Sequence, residues 1–282
     1  MKRFMALALV MVLALAGCGA KQAETEAQTE QEAQPDQVTL TVFAAASLQE
    51  TVTEIVEKYK AVAPEVTVVC NFDSSGTLKT QIQEGAVCDL FISAAPKQMN
   101  ALDIARDADH GNPEGLDFVR QGSRVDLLEN KVALSVAEGR GEGIASFDDL
   151  AAALREGTVL LAMGNSDVPV GQYTQKIFAY YGLNEEELAA AGCLTYGSNV
   201  KEVTAQVGEA AVDCGIIYAT DAFSAGLPIT DTATAEMCGQ VIYPAAVLQT
   251  SEHPEAAQAF LDYLRSEEAG AVFAAVGFTP LG

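Results

Sequence analysis

The run Val38-Thr39-Leu40-Thr41-Val42-Phe43-Ala44-Ala45-Ala46-Ser47-Leu48 passes from a β-rich, alternating stretch into the start of an amphipathic one. Val38–Ala44 reads as a strand and Leu48–Ala61 as a helix, with Val52, Ile55, Val56 and Tyr59 on one face at helical spacing. The pattern then repeats: strand Val66–Phe72, short helix Leu78–Glu84, strand Asp89–Ser93. Strands alternating with helices pair in parallel through right-handed crossovers, and ligands of such sheets sit beyond the carboxyl ends of the strands.

Moving outward along the chain, residues 106–122 are polar and contain glycine, and read as a loop. Lys131–Ala137 reads as a strand, followed by a glycine-rich stretch over Glu138–Gly143. A second α/β series follows, with strands Val159–Met163, Cys193–Tyr196 and Gly215–Tyr218 separated by helices Gln172–Tyr181 and Lys201–Gly208 and a short helix from Glu185. Strand Val241–Leu248 and helices Pro254–Arg265 and Glu267–Val276 close the chain. The expected fold class is α/β: two open α/β lobes joined by a two-strand hinge, with crossings near residues 137 and 241. Lobe I is expected over 38–136 plus 241–282 and lobe II over 137–240, with the ligand in the cleft between them.

Four strand-to-helix junctions carry the chemistry. They are Ala45-Ala46-Ser47, Asp73-Ser74-Ser75-Gly76, Val168-Pro169-Val170-Gly171 and Gly197-Ser198-Asn199-Val200. The first turn of a helix exposes unpaired N–H groups at the positive end of its dipole, which can bind an anion without any formal positive charge. Ser47 and Ser75 add hydroxyl donors. Ser and Asn are also ordinary helix caps, so each junction alone marks a helix start. Four of them facing one crevice would make a site. Asp73 and Asp167 stand near two of the junctions and would repel an anion if they faced it; as caps of backbone amides they would not.

The remaining features set the compartment. Lys2 and Arg3 precede an apolar run, Phe4–Leu15, too short to span a bilayer, which reads as a signal peptide over residues 1–17. It closes on Leu15-Ala16-Gly17-Cys18, a sequence that resembles a bacterial lipobox with Cys18 as the lipidated residue. Residues 18–37, rich in Ala, Gln, Glu and Thr, read as a disordered tether. Removing 1–17 leaves 265 residues and takes away Lys2 and Arg3, moving the formal charge from −23 to −25. A body this acidic, without a basic run, argues against nucleic acid as a partner. Five cysteines follow Cys18 (Cys70, Cys88, Cys193, Cys214 and Cys238), an odd number with no CxxC or Cys/His metal spacing, and most are expected to be unpaired.

The motifs, in order, resemble those of the periplasmic molybdate-binding protein family. Phe43-Ala44-Ala45-Ala46-Ser47-Leu48 is similar to the family's opening strand and Ser74-Ser75-Gly76-Thr77-Leu78 to its serine-rich second motif. Asp89-Leu90-Phe91-Ile92-Ser93-Ala94, Asp167-Val168-Pro169-Val170-Gly171, and Gly215-Ile216-Ile217-Tyr218 with Asp221-Ala222 follow, then Tyr243-Pro244 and Gly277-Phe278. The resemblance covers 38–282 and implies a type II periplasmic-binding-protein fold. It further implies that Ser47 and Ser75 donate through hydroxyl and backbone, Val170 and Val200 through backbone N–H, and Tyr218 through its phenol, to molybdate or the near-identical tungstate. No cofactor, catalytic residue or direct metal ligand is implied; the partners are an ABC permease with its ATPase, and the membrane through Cys18. An extracytoplasmic monomer is expected. Sulfate, or a sensor lipoprotein of the same fold, are the alternatives. An enzyme is the rival from another class, but His110 and His253 are the only histidines and neither belongs to a recognisable catalytic arrangement.

Overall fold

The computed structural model describes residues 37–281. The signal peptide, Cys18 and all but the last residue of the tether lie outside the described residues.

The first half of the chain runs β1 (Val38–Ala45), α1 (Gln49–Tyr59), β2 (Val66–Asp73), α2 (Ser75–Gln83), β3 (Leu90–Ile92), α3 (Pro96–Asn100) and β4 (Val125–Asn130). Next come β5 (Val132–Val136), α4 (Phe147–Glu156), β6 (Leu161–Gly164), α5 (Pro169–Tyr181), α6 (Glu185–Ala190), β7 (Leu194–Gly197) and α7 (Val200–Gly208). The chain ends with β8 (Cys214–Tyr218), α8 (Ala219–Ala225), β9 (Asp231–Thr232), α9 (Ala235–Cys238), β10 (Val241–Val247), α10 (Pro254–Leu264), α11 (Glu267–Ala275) and β11 (Thr279–Pro280).

The strands form two sheets, ordered β11-β4-β10-β3-β1-β2 and β7-β6-β8-β5-β9. In the first, β1 pairs in parallel with β2 and β3, while β10 runs antiparallel between β3 and β4. In the second, β6 pairs in parallel with β7 and β8, while β5 runs antiparallel to β8 and β9. Each sheet therefore gathers three parallel carboxyl ends at one edge, and each is covered by helices: two α/β lobes.

The chain leaves lobe I at Lys131 and returns through Gly239-Gln240. The first crossing expected near 137 therefore moves to Lys131, and residues 132–136, assigned to lobe I in the sequence reading, belong to the sheet of lobe II. The reason is pairing: Val132–Val136 takes its hydrogen-bond partners from β8, whereas Val125–Asn130, a strand not expected from the sequence, pairs with β10. Asn130 stands opposite Val241, so the two crossing segments lie side by side.

Burial explains the layers. α1 turns Val52, Ile55, Val56 and Tyr59 inward, and the Tyr59 ring meets Phe260 of α10 at a centroid distance of 4.9 Å. In lobe II, Ile177, Phe178, Val203 and Val207 share one buried hydrophobic cluster with Leu161, Met163 and Ile216 of the sheet. The 106–122 segment is tied down by Asn112, whose side chain donates to the Asp103 and Leu116 carbonyls and accepts from the Leu116 N–H, and by a bridge from Val119 to Leu248. All five cysteines among the described residues are free. Burial pushes the Cys88 and Cys214 thiols up to about 12, which keeps them as inert, protonated core groups.

Candidate functional site

All four junctions open on one narrow crevice between the lobes, lined by Ala45, Ala46, Ser47, Asp73, Ser74, Ser75, Ala94, Val168, Pro169, Val170, Val200 and Tyr218. The five residues singled out in the sequence (Ser47, Ser75, Val170, Val200 and Tyr218) all belong to this lining and all are buried. No Lys, Arg or His takes part in it.

Lobe I presents two hydroxyls that are each held by a hydrogen bond within the lobe. Ser74 caps α2 by accepting from the Thr77 N–H at 3.1 Å, so the next residue, Ser75, is free for other work. Ser75 Oγ accepts from the Ala94 N–H at 2.9 Å, a bond that leaves its own hydrogen available to donate. Ser47 lies on a single 3₁₀ turn, Ala46–Leu48, between β1 and α1, and its Oγ is 2.9 Å from Tyr243 Oη. Asn130 Nδ2 donates to that same Tyr243 Oη at 3.2 Å and to Thr220 Oγ1 at 2.9 Å. The Tyr243 hydroxyl can then pass its hydrogen to Ser47, which makes the Ser47 hydrogen available to the cleft. Asn130 was not singled out in the sequence and Tyr243 only as part of a motif, because their role depends on a sheet order in which β10 separates β3 from β4.

Lobe II presents donors that have no partner. Pro169 opens α5, where its missing N–H costs nothing, and the helix has no side-chain cap, so the Val170 N–H is the first donor of that helix. Val200 opens α7; the Asn199 side chain caps the Glu202 N–H at 3.1 Å and leaves the Val200 N–H uncovered. Tyr218 ends β8, is 1% exposed, and its Oη has no hydrogen-bond partner. Burial first, and then the neighbouring tyrosines and Asp221, hold its phenol well above the ordinary range, so it stays a neutral O–H donor. A buried hydroxyl without a partner is costly and calls for an explanation.

The two carboxylates near the junctions behave as caps or face solvent. Asp73 Oδ1 accepts from the Ser74 N–H at 2.7 Å and from Asn199 Nδ2 across the cleft at 3.5 Å. The Asp167 side chain is exposed, and its carbonyl oxygen comes so close to Gly76 that a Cβ there would stand 2.2 Å away. Glycine at position 76 is thus what allows the α2 start of lobe I and the α5 approach of lobe II to meet.

Among the described residues, no cluster of His, Cys, Asp and Glu could hold a metal ion, and no helix is long and apolar enough to cross a membrane. Two α/β lobes, each built on its own sheet, with a small crevice between them define the class: a two-lobed binding protein. The chain belongs to the bacterial extracellular solute-binding proteins, whose family model matches residues 40–279. YvgL of Bacillus subtilis (strain 168), assigned as an ABC transporter substrate-binding lipoprotein, is 33% identical over 86% of this chain and 87% of its own. The molybdate-binding protein ModA of Escherichia coli (strain K12) is 33% identical over 88% and 91%. The periplasmic molybdate-binding protein of Azotobacter vinelandii superposes with a TM-score of 0.72 at 21% identity, over 86% of this chain and all of its own, a likeness of fold.

Proposed function

We propose that this protein binds molybdate, and the isosteric tungstate, between its lobes and delivers it to an ABC permease driven by its ATPase. The observation that carries this reading is the partnerless, fully buried Tyr218 hydroxyl in a crevice without cationic side chains, to which Ser47, Ser75 and the Val170 and Val200 helix starts also contribute. A dianion with four oxygens can use every such donor at once. Ser47 and Ser75 would donate through Oγ, Val170 and Val200 through N–H, and Tyr218 through Oη. A cation-free site of this kind suits a permanently ionised ligand, because oriented neutral dipoles compensate its charge without a counter-ion that a rival anion could equally exploit. The relatives named as molybdate-binding support the choice of ligand. The reading is one of capture and release, in keeping with the solute-binding family to which the chain belongs.

The proposal extends to the chain's address. Cleavage before Cys18 and acylation of its thiol would tether a monomer outside the cytoplasmic membrane, in keeping with the assignment of YvgL as a lipoprotein. Cys18→Ala should then move the protein from the membrane to the soluble extracytoplasmic fraction.

Calorimetric titration of the purified protein with molybdate, tungstate, sulfate and phosphate tests the ligand. Tight binding of the first two and weak binding of the others is expected. Preference for sulfate would move the protein to the alternative oxyanion, and tight phosphate binding without molybdate binding would overturn the reading.

A further inference from the structure

One ion cluster, built on a buried carboxylate, lies outside the crevice lining and spans the two lobes. Lys201, the second residue of α7, follows Val200 directly. Its Nζ lies 2.9 and 2.8 Å from the two carboxylate oxygens of Glu50 on α1 and 3.0 Å from Asp221 Oδ1 on α8. Asp221 has no side-chain exposure, whereas Glu50 is half exposed and Lys201 about a quarter. The Asp221 contact is an ion pair off the axis of a hydrogen bond, since neither Asp221 oxygen has a hydrogen-bond partner.

The two halves of this cluster differ in what opening the cleft would do to them. Lys201 and Asp221 belong to one lobe, so their pairing survives any separation of the lobes. It has to, because a buried carboxylate stripped of its counter-ion is prohibitively costly. Lys201 and Glu50 belong to opposite lobes, and Glu50 is exposed enough to return to water when they part. Asp221 therefore holds the ammonium in place whether or not Glu50 is present. An ion pair made by a pre-oriented, mostly buried lysine gives up less side-chain entropy than one between two free surface chains. Glu50 comes three residues after Ser47, and Lys201 comes one residue after Val200. The pair thus joins the two helix starts that would face the anion from opposite sides.

We propose that Lys201 is a positioning residue for the binding site: anchored on lobe II by Asp221, it closes on Glu50 of lobe I and holds the Val200 helix start against the Ser47 turn. It does this without entering the crevice, so the site itself stays free of cations. The inference rests on reading the crevice as the anion site.

Glu50→Gln is the informative variant, because it removes the cross-lobe partner and leaves the Lys201–Asp221 pair intact. It should speed molybdate dissociation about two- to fivefold with little change in association, and leave the molybdate-to-tungstate preference as in the parent. Glu50→Lys, which sets like charges face to face, should speed dissociation further, and Glu50→Asp should recover part of the loss. Stopped-flow dissociation rates read these effects, and small-angle scattering of the ligand-free full chain reports whether the Gln and Lys variants are more open. Dissociation rates equal to the parent's in both variants overturn the proposal. If the parent binds no oxyanion at all, the ligand reading falls by itself. Scattering then decides the matter: a radius of gyration that grows in both variants sustains Lys201 as a cross-lobe catch, and an unchanged one removes it.

Discussion

The lobes prepare for a ligand in opposite ways. In lobe I each hydroxyl facing the crevice is already anchored: Ser75 Oγ accepts from the Ala94 N–H, and Ser47 Oγ sits against Tyr243, itself held by Asn130. In lobe II the donors stand bare, with the Tyr218 hydroxyl partnerless and the first turn of α5 uncapped by any side chain. For the helix starts the difference follows from the chemical group, whereas Tyr218, a hydroxyl like the serines, is left bare by its packing. A serine hydroxyl can accept and donate together, so it can be fixed by the fold and still offer a hydrogen. A backbone N–H has only its hydrogen to give, so holding it for a ligand means leaving it unpaired. Lobe I is thereby built at little cost, while lobe II carries an unmet hydrogen-bonding demand that a ligand would meet.

The sharpest way to break this contrast is to remove the lobe I hydroxyls. Ser75→Ala and Ser47→Ala should each weaken oxyanion binding by about 1.5–3 kcal/mol, the range for a hydrogen bond to a charged group. Ser75→Ala should also lower ligand-free stability by about 1–3 kcal/mol, because it strands the buried Ala94 N–H. Calorimetry and urea denaturation measure the two effects. Next in size is Gly76→Ala, whose Cβ would collide with the Asp167 carbonyl. It should cost about 1–3 kcal/mol of binding, the usual toll of overpacking, and spare ligand-free stability if the lobes simply stand apart.

Tyr218→Phe should do what neither serine variant does. Affinity should fall by about 1.5 kcal/mol while ligand-free stability rises by about 1 kcal/mol, since an unpaired buried hydroxyl is gone. A fall in both would mean that Tyr218 is already satisfied and that the lobes are alike.

The smallest effect is a pH slope of opposite sign in each lobe. Burial raises Asp221 of lobe II from the ordinary 3.8 to about 6, against the opposing pull of Lys201 and with help from Glu50. The folded protein then holds this proton more tightly than the unfolded chain. Its contribution is present at acid pH and is lost as pH rises from about 4 to about 6. In lobe I, burial alone would raise Asp103, but the Arg124 guanidinium 2.8 Å away and the Ala105 N–H lower it, so its contribution is lost as pH falls below about 4. Stability measured across this range should lose its downward slope between pH 4 and 6 in Asp221→Asn, and its acid-side fall should shrink in Asp103→Asn.

Some of this could be read along the chain, and the failures have physical causes. The four junctions were legible because each is local: an apolar run, a small polar turn, then helical periodicity. The sheet exchange at Lys131 was not. Val125–Asn130 and Val132–Val136 are separated by one residue, and nothing in an apolar pattern says that two adjoining strands take partners in different sheets. Helix α4 carries a local cap signal, Ser146 accepting from the Asp149 N–H, but it follows directly on a glycine-rich stretch that has no periodic pattern. The cation-free crevice was anticipated; the lysine one residue behind Val200 was placed only as the start of a helix.

By itself, then, the sequence determined which backbone N–H groups and hydroxyls would sit at helix starts, since capping and periodicity act over three or four residues. Only the tertiary structure decided that these starts face one another and that Tyr218 is left without a partner. It alone brought Lys201 to Glu50, 151 positions away. Those outcomes depend on strand order and lobe closure, and interactions between residues so far apart leave no periodic trace in the chain.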